Sequence, residues 1–368
     1  MVDIPLVDLK GQHQEIAAGV EEGFRRVCAD AAFILGREVT AFEDEFARFS
    51  RVEHCIGVAN GTDALELALR AVDVGAGDEV ILPTNSFIAS ALAVVRAGAT
   101  PVLVDCDPVH QLIDPAAVQA RLGPRTRVIM PVHLFGQMAP MEALQALARD
   151  SGCMLVEDAA QAQGAIRNGT CAGGFGEAAG TSFYPGKNLG AYGDAGAVLT
   201  RSPRIADRVR ALRNYGSAVK YHHPERGFNS RLDALQAVVL RAKLPKLAGW
   251  NAARRAAAGR YDALLADVGA VTRPATLAGN QHVWHLYVVR VPRRDAVVQR
   301  LNAAGIGAGV HYPTPIHLQG AFADLGHRPG AFPVAEAAAR EILSLPLFPG
   351  ITTAQQERVV GALRTALG

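Results

Sequence analysis

Three short polar segments carry side chains able to do chemistry. The richest is Gly180-Thr181-Ser182-Phe183-Tyr184-Pro185-Gly186-Lys187-Asn188-Leu189-Gly190, followed by Gly193-Asp194-Ala195-Gly196. It invites comparison with a phosphate-binding loop, which needs Gly, four residues, then Gly-Lys-Ser/Thr. The spacing excludes that: five residues separate Gly180 from Gly186, and Asn188 follows the lysine. Gly173-Gly174-Phe175-Gly176 likewise lacks the dinucleotide-binding spacing. A lysine set among proline and glycines is an odd choice for a solvated surface. The loop reads as one that holds a single ammonium group near a ligand.

The second segment, Asn60-Gly61-Thr62-Asp63-Ala64-Leu65, follows an expected strand and opens an expected helix. Gly61 lets backbone approach a ligand, Thr62 can cap, and the free N–H groups of a helix start favour an anion. An ordinary capped turn would look the same. The third, Val156-Glu157-Asp158-Ala159-Ala160-Gln161, delivers two acids from a strand into a loop. Asp158 there could be a metal ligand, a general base or a structural cap.

His133, His282, His285, His311 and His317 are the histidines to weigh as metal ligands. The one adjacent pair is His222-His223, and no helical His-x3-His motif occurs, so no metal site is expected. His282 and His285 flank Trp284 and read as packing residues. The five cysteines, Cys28, Cys55, Cys106, Cys153 and Cys171, form no Cys-x-x-Cys pair. They read as reduced thiols of a cytoplasmic protein rather than a disulfide framework.

The elements that must position these segments follow from periodicity. Residues 12–30 and 38–49 read as amphipathic helices. Strands are expected at Cys55–Val58, Glu79–Leu82, Pro101–Asp105, Arg127–Val132, Met154–Glu157, Gly180–Phe183 and Ala197–Thr200. Helices are expected at 62–72, 86–97, 114–122 and 140–151. Several strands are apolar without alternation, which suits a sheet covered on both faces. Alternating strand and helix argues an α/β sandwich with a largely parallel sheet, whose ligands sit at the carboxyl ends of the strands. A long helical stretch, 231–267, follows, with Pro245 expected to bend or break it. A second α/β unit then has a strand at Val283–Val291, a helix near 295–304, a strand near 306–311 and a terminal helix near 353–367. The division is placed at 1–240 and 241–368.

Composition narrows the function classes. Across 368 residues, 37 basic and 35 acidic side chains give a formal net charge of +2. That balance gives no electrostatic footprint for nucleic acid or an anionic membrane. Apolar runs are strand-length, well short of the roughly 20 residues of a membrane span. The N-terminal residues have no basic region followed by an apolar one, so no signal peptide is read there.

In order, the motifs resemble the DegT/DnrJ/EryC1/StrS family of pyridoxal 5′-phosphate (PLP)-dependent sugar aminotransferases. Those that carry the resemblance are Asn-Gly-Thr-Asp-Ala-Leu (60–65), Pro-Thr-Asn-Ser-Phe (83–87) and Val-His-Leu-Phe-Gly-Gln (132–137). Glu-Asp-Ala-Ala-Gln (157–161), the lysine loop, Gly-Phe-Asn-Ser-Arg-Leu-Asp (227–233) and Ser-Leu-Pro-Leu-Phe-Pro (344–349) complete the set. Each is weak alone; the ordered set spans nearly the whole chain.

The resemblance implies a three-layer α/β/α sandwich of the aspartate-aminotransferase type (PLP fold type I) with a smaller C-terminal α/β domain. It implies that Lys187 holds PLP as a Schiff base and that Asp158 pairs with its pyridine nitrogen. Gln161 would bond the phenolic oxygen and Phe87 would stack on the ring. Gly61, Thr62 and Ser182 would hold the phosphate, and Asn229 would reach it from the neighbouring subunit of a homodimer. Tyr184, Lys220, His311 and Tyr312 are the candidate substrate contacts. The implied reaction moves an amino group from L-glutamate to a nucleotide-linked keto-sugar, at C3 of a dTDP-3-keto-6-deoxyhexose. Alternatives are a C4 keto-sugar, a UDP-3-keto-uronate, a cyclitol ketone, or a PLP-binding regulator without turnover. Deoxygenating family members carry histidine in place of the lysine, so Lys187 favours amino transfer.

Overall fold

The computed structural model describes residues 2–368. In chain order the first part contains α1 (Leu9–Gln14), α2 (Ala17–Asp30), α3 (Arg37–Ser50), β1 (His54–Val58), α4 (Gly61–Ala71), β2 (Glu79–Pro83), α5 (Ile88–Arg96), β3 (Thr100–Val104), α6 (Pro115–Gln119), β4 (Thr126–Ile129), α7 (Met141–Ser151) and β5 (Met154–Asp158). It continues with β6 (Ile166–Arg167), β7 (Thr170–Cys171), β8 (Ala178–Ser182), β9 (Gly196–Thr200), α8 (Pro203–Leu212) and α9 (Ala234–Leu264). The remainder is β10 (Asn280–Gln281), β11 (Tyr287–Arg290), α10 (Arg294–Ala303), α11 (Pro333–Glu341), β12 (Ile342–Leu345) and α12 (Thr353–Leu367).

Seven strands form one sheet in the order β1-β9-β8-β5-β4-β2-β3. Only β9 runs against its neighbours β1 and β8; the other pairings are parallel. Side chains alternate across each strand, so both faces are apolar. Ile81, Ile129, Leu155 and Ala197 pack with Phe42 and Phe46 of α3 and with Leu240 and Leu247 of α9. Val80, Leu82, Val128, Val156 and Val198 pack on the other side with α4, α5 and α8. This is the expected three-layer α/β/α sandwich.

The carboxyl ends of β2, β5 and β8 gather the chemistry-bearing segments at one edge. The composition of β8, Ala-Ala-Gly-Thr-Ser, allows this. A Cβ on Gly180 would lie 2.7 Å from Leu65 Cδ2, so α4 rests directly on the strand.

α9 runs 31 residues and Pro245 does not end it. The proline lies on an exposed face, where water can satisfy the carbonyl that loses its donor. The start of α9 belongs to the sheet core, while Ala257, Ala258 and Tyr261 belong to a further core built on β11 and β12. Residue 240 therefore lies inside this helix.

The C-terminal unit departs from expectation in three places. The strand expected over Val283–Val291 is only Tyr287–Arg290, because Trp284 takes a left-handed φ of 49°, which extended backbone does not tolerate. No strand forms near 306–311: Ile306 makes a single bridge to Ile4 and Gly309 another to Ser344. The partner of β11 is β12, which overlaps the Ser-Leu-Pro-Leu-Phe-Pro motif. Near the N-terminus, the helix expected over 12–30 is two helices, broken at Glu15 and Ile16.

Candidate active site

Asp158 ends β5 and is 5% exposed. Its Oδ2 accepts from Ser90 Oγ at 2.7 Å and its Oδ1 from the Ala160 N–H at 3.1 Å. Burial pushes its carboxyl above the usual range, opposed by the Ser90 and Ala160 bonds, Lys187 and His133. Lys187, partly buried, answers it from the loop between β8 and β9. Burial pulls its ammonium down to about 8, and Asp158 opposes that fall. Each group thus feels the other's charge.

A buried amide chain fixes the lysine loop. Asn188 donates to Asn251 Oδ1 on α9 at 2.9 Å and to the Val283 carbonyl at 3.0 Å. Asn251 passes on to the Gln163 carbonyl, and Gln163 holds Thr181 Oγ1 and the Ser182 carbonyl. His285 packs against the same chain, 3.3 Å from Asn188 Oδ1. Burial, then the nearby Lys187 charge, keeps its imidazole neutral.

Beside this pair lies the start of α4. Asn60 caps it by accepting the Asp63 N–H at 2.8 Å, and the Ala64 N–H makes the first helical bond. Gly61 and Thr62 precede that bond, so their N–H groups remain for an anion. Gly61 is required by space: a Cβ there would fall 2.6 Å from Ser182 Cβ and 3.1 Å from Ser182 Oγ. The resemblance makes that anion the phosphate of PLP, and on that reading Gly61→Ala should weaken PLP binding about tenfold or more, a loss near 1.4 kcal/mol. Titration of apoprotein with PLP would measure it; unchanged affinity would remove the cradle from the site.

Gln161 accepts the Phe135 N–H at 2.6 Å and donates to Tyr312 Oη at 3.0 Å. Phe87 precedes α5, is 51% exposed, and its ring lies 5.2 Å from that of Tyr312. The structure thus brings Phe87, Gln161 and Tyr312 together. His311 bonds Ser344 Oγ at 2.8 Å, and burial, with Lys187, lowers its imidazole to about 4. Burial and then Asp158 raise the Tyr312 phenol.

The side chains of Asn229, Tyr184 and Lys220 take no part in these hydrogen bonds. Ser230 turns inward, donating to Asp63 Oδ2 at 2.7 Å, so its neighbour Asn229 faces outward and is exposed. Tyr184 is 59% exposed, while its carbonyl accepts the Lys187 N–H at 2.8 Å. Lys220 sits on an exposed loop with its Nζ 5.1 Å from the Tyr221 ring centroid and joins none of the cluster's hydrogen bonds.

Glu157, the acid beside Asp158, points to the opposite face and does structural work. It is fully buried and accepts from His133 Nε2 and from the N–H groups of Gly173, Phe175 and Gly176. Burial pushes its carboxyl up, but those bonds win and hold it below the ordinary range. The Ala139 N–H donates to His133 Nδ1, so the ring proton sits on Nε2 and goes to Glu157. We expect Glu157→Gln to cost roughly 1–3 kcal/mol, because at least one buried donor loses its acceptor. Chemical denaturation would read this; a variant as stable as the parent would contradict it.

Ser86, Ser90 and Asn188 went unassigned in the sequence. Ser86 and Ser90 are spaced i,i+4, across the start of the helix that follows Phe87, and that spacing was the available signal.

Residues 14–364 match the DegT/DnrJ/EryC1/StrS aminotransferase family. The chain is 48% identical over 363 residues to the erythromycin biosynthesis sensory transduction protein EryC1 of Saccharopolyspora erythraea, covering 99% of both. It is 46% identical to the dTDP-3-amino-3,4,6-trideoxy-alpha-D-glucose transaminase of Streptomyces venezuelae, covering 98% of this chain and 95% of that one. The crystal structure of S. venezuelae DesV superposes with a TM-score of 0.97 at 46% identity, covering 99% of this chain and 98% of that chain.

Proposed function

The chain belongs to the DegT/DnrJ/EryC1/StrS aminotransferase family, and from that premise we propose that it transfers an amino group from L-glutamate to C3 of a dTDP-linked 3-keto-6-deoxyhexose, using PLP. The observation that carries the reading is the buried Asp158 carboxylate at the end of β5, held by Ser90 Oγ and the Ala160 N–H, with the lysine loop and a glycine-cradled helix start beside it. Those groups fit PLP: a lysine with a lowered ammonium, a carboxylate for a ring nitrogen and an anion cradle for a phosphate. When bound, PLP supplies an electron sink next to the amine carbon.

The chain's own residues do the rest. Lys187 Nζ would hold the cofactor, and its amine is the base that would move a proton at the amine-bearing carbon. Asp158 holds a proton on the ring nitrogen by pairing with it. Gln161 bonds the phenolic oxygen, and Phe87 covers the ring. Gly61, Thr62 and Ser182 bind the phosphate. Exposed Asn229 reaches the phosphate of a second copy, so the working form is a homodimer. Tyr184, Lys220, His311 and Tyr312 face the sugar nucleotide. The C3 position and dTDP carrier are supported by the likeness to the S. venezuelae transaminase.

The test has two halves. PLP-loaded protein mixed with L-glutamate should lose its visible absorbance and release 2-oxoglutarate. Adding a panel of nucleotide-linked keto-sugars should restore the absorbance fastest with the dTDP-3-keto-6-deoxyhexose, yielding its 3-amino product. Conversion by glutamate without transfer to any sugar would overturn the substrate; no conversion would overturn L-glutamate as the donor and favour another amine donor or a binding role.

A further inference from the structure

We infer that Ser90, backed by Ser86, is a positioning residue for the Asp158 carboxylate, its hydroxyl fixing Oδ2 and supplying a hydrogen bond that a buried anion needs. The inference rests on the reading of Asp158 as the partner of the cofactor's ring nitrogen. Three buried oxygens form the chain: Ser86 Oγ lies 2.7 Å from Ser90 Oγ, and Ser90 Oγ lies 2.7 Å from Asp158 Oδ2. Ser86, Ser90 and Asp158 are 3%, 1% and 5% exposed.

The direction of the chain follows from what each group can do. An ionised carboxylate only accepts, so the Ser90 hydroxyl donates to Oδ2. Its one proton is then used, so Ser86 must donate to Ser90. Two hydroxyls pointing the same way polarise each other and favour the anion at the end. With Ser90 on Oδ2 and Ala160 N–H on Oδ1, each carboxylate oxygen keeps a lone pair for a further donor.

The other groups facing Asp158 cannot replace this. From its own strand end comes only the Ala160 N–H. The segment after β4 brings His133, whose ring proton goes to Glu157. The C-terminal unit brings Tyr312, which feels the Asp158 charge. The lysine loop brings Lys187, whose ammonium, lowered to about 8, can lose its charge near neutral pH. When it does, the Ser86–Ser90 chain and one backbone N–H are what remains to hold Asp158 as an anion. α5 also follows directly on Phe87, so the same first turn places a ring-covering residue and the carboxylate's partner.

The test compares Ser90→Ala, Ser90→Thr and Ser86→Ala, each as PLP-loaded full-length protein, with Asp158→Asn as reference. Three readouts are taken: the ¹⁵N signal of PLP labelled at its ring nitrogen, the pH titration of the bound cofactor's visible absorbance, and kcat with KM for the glutamate half-reaction. Ser90→Ala should move the ring-nitrogen signal towards its unprotonated position. It should raise the absorbance titration by about one pH unit and lower kcat about tenfold with KM little changed. Ser90→Thr should restore all three, and Ser86→Ala should give a smaller shift in the same direction. A Ser90→Ala protein that titrates and turns over like the parent overturns the inference, as does a threonine variant that fails to rescue. If Ser90→Ala does not fold, an unshifted Ser86→Ala overturns it instead. Asp158→Asn separates the two layers: if it too leaves the ring-nitrogen signal unmoved, the reading of Asp158 has failed, whereas a shift there with none in Ser90→Ala removes only the role of Ser90.

Discussion

Replacing Lys187 by alanine is expected to lower the rate of the glutamate half-reaction at least about 10⁴-fold while leaving the fold intact. A positioned general base alone contributes about 10²–10⁴-fold, and the proposed function gives this lysine a second task, covalent attachment, that no neighbour can take over. His285 is held neutral and engaged with Asn188. His311 is bonded to Ser344. Lys187→Arg is the informative control: it keeps a positive charge for Asp158, but a guanidinium stays protonated and has no lone pair to offer. Both variants should melt near the parent and both should fail in stopped-flow mixing with glutamate. Turnover in either within about tenfold of the parent would remove Lys187 from the chemistry. The same amine sets a pH dependence. Its ammonium falls to about 8, and only the neutral form attacks a carbonyl. Cofactor capture by apoprotein should therefore accelerate as pH rises through about 8 and level off above; a flat profile would contradict the assignment.

Asp158→Asn is expected to slow the half-reaction about 10²–10³-fold, the scale on which one preorganised electrostatic group acts. The amide keeps the shape, and its oxygen can still accept from Ser90. What it loses is the charge that makes protonation of a ring nitrogen favourable. Stability should fall only modestly: the neutral isostere escapes the burial penalty on the carboxylate, while the half-buried Ala160 N–H loses its acceptor when the amide oxygen keeps Ser90. A second consequence separates this from a packing defect. Asp158 raises the Lys187 ammonium against its burial, so removing the charge should shift the pH profile of cofactor capture below about 8. Slowed turnover with an unmoved profile would mean that the two groups are not coupled.

The sheet was legible because its strands are short apolar runs separated by helices, and burial on both faces demands that pattern. The C-terminal unit was less legible. Val283 to Val291 looks like one strand by composition, yet a left-handed Trp284 confines β11 to Tyr287–Arg290. That residue packs against Tyr287 and stacks on His282, contacts that no local pattern announces. Pro245 shows the reverse: a local helix breaker overridden where its ring faces solvent.

For the site, the sequence by itself supplied the candidate groups, Lys187 in its glycine- and proline-rich turn, an acid pair at a strand end and the Asn60-Gly61-Thr62 helix start, and the family resemblance supplied their implied roles. These are local features, since a loop lysine, a strand-end acid and a capped helix each leave a mark within a few residues. The tertiary structure decided which of two adjacent acids faces the lysine, because Glu157 and Asp158 point to opposite sides of one strand. It also decided that Gln161 meets Tyr312 and that Ser90 meets Asp158, pairings 151 and 68 residues apart. Such contacts depend on how helices and strands stack, and stacking is set by the whole buried surface rather than by the residues that touch.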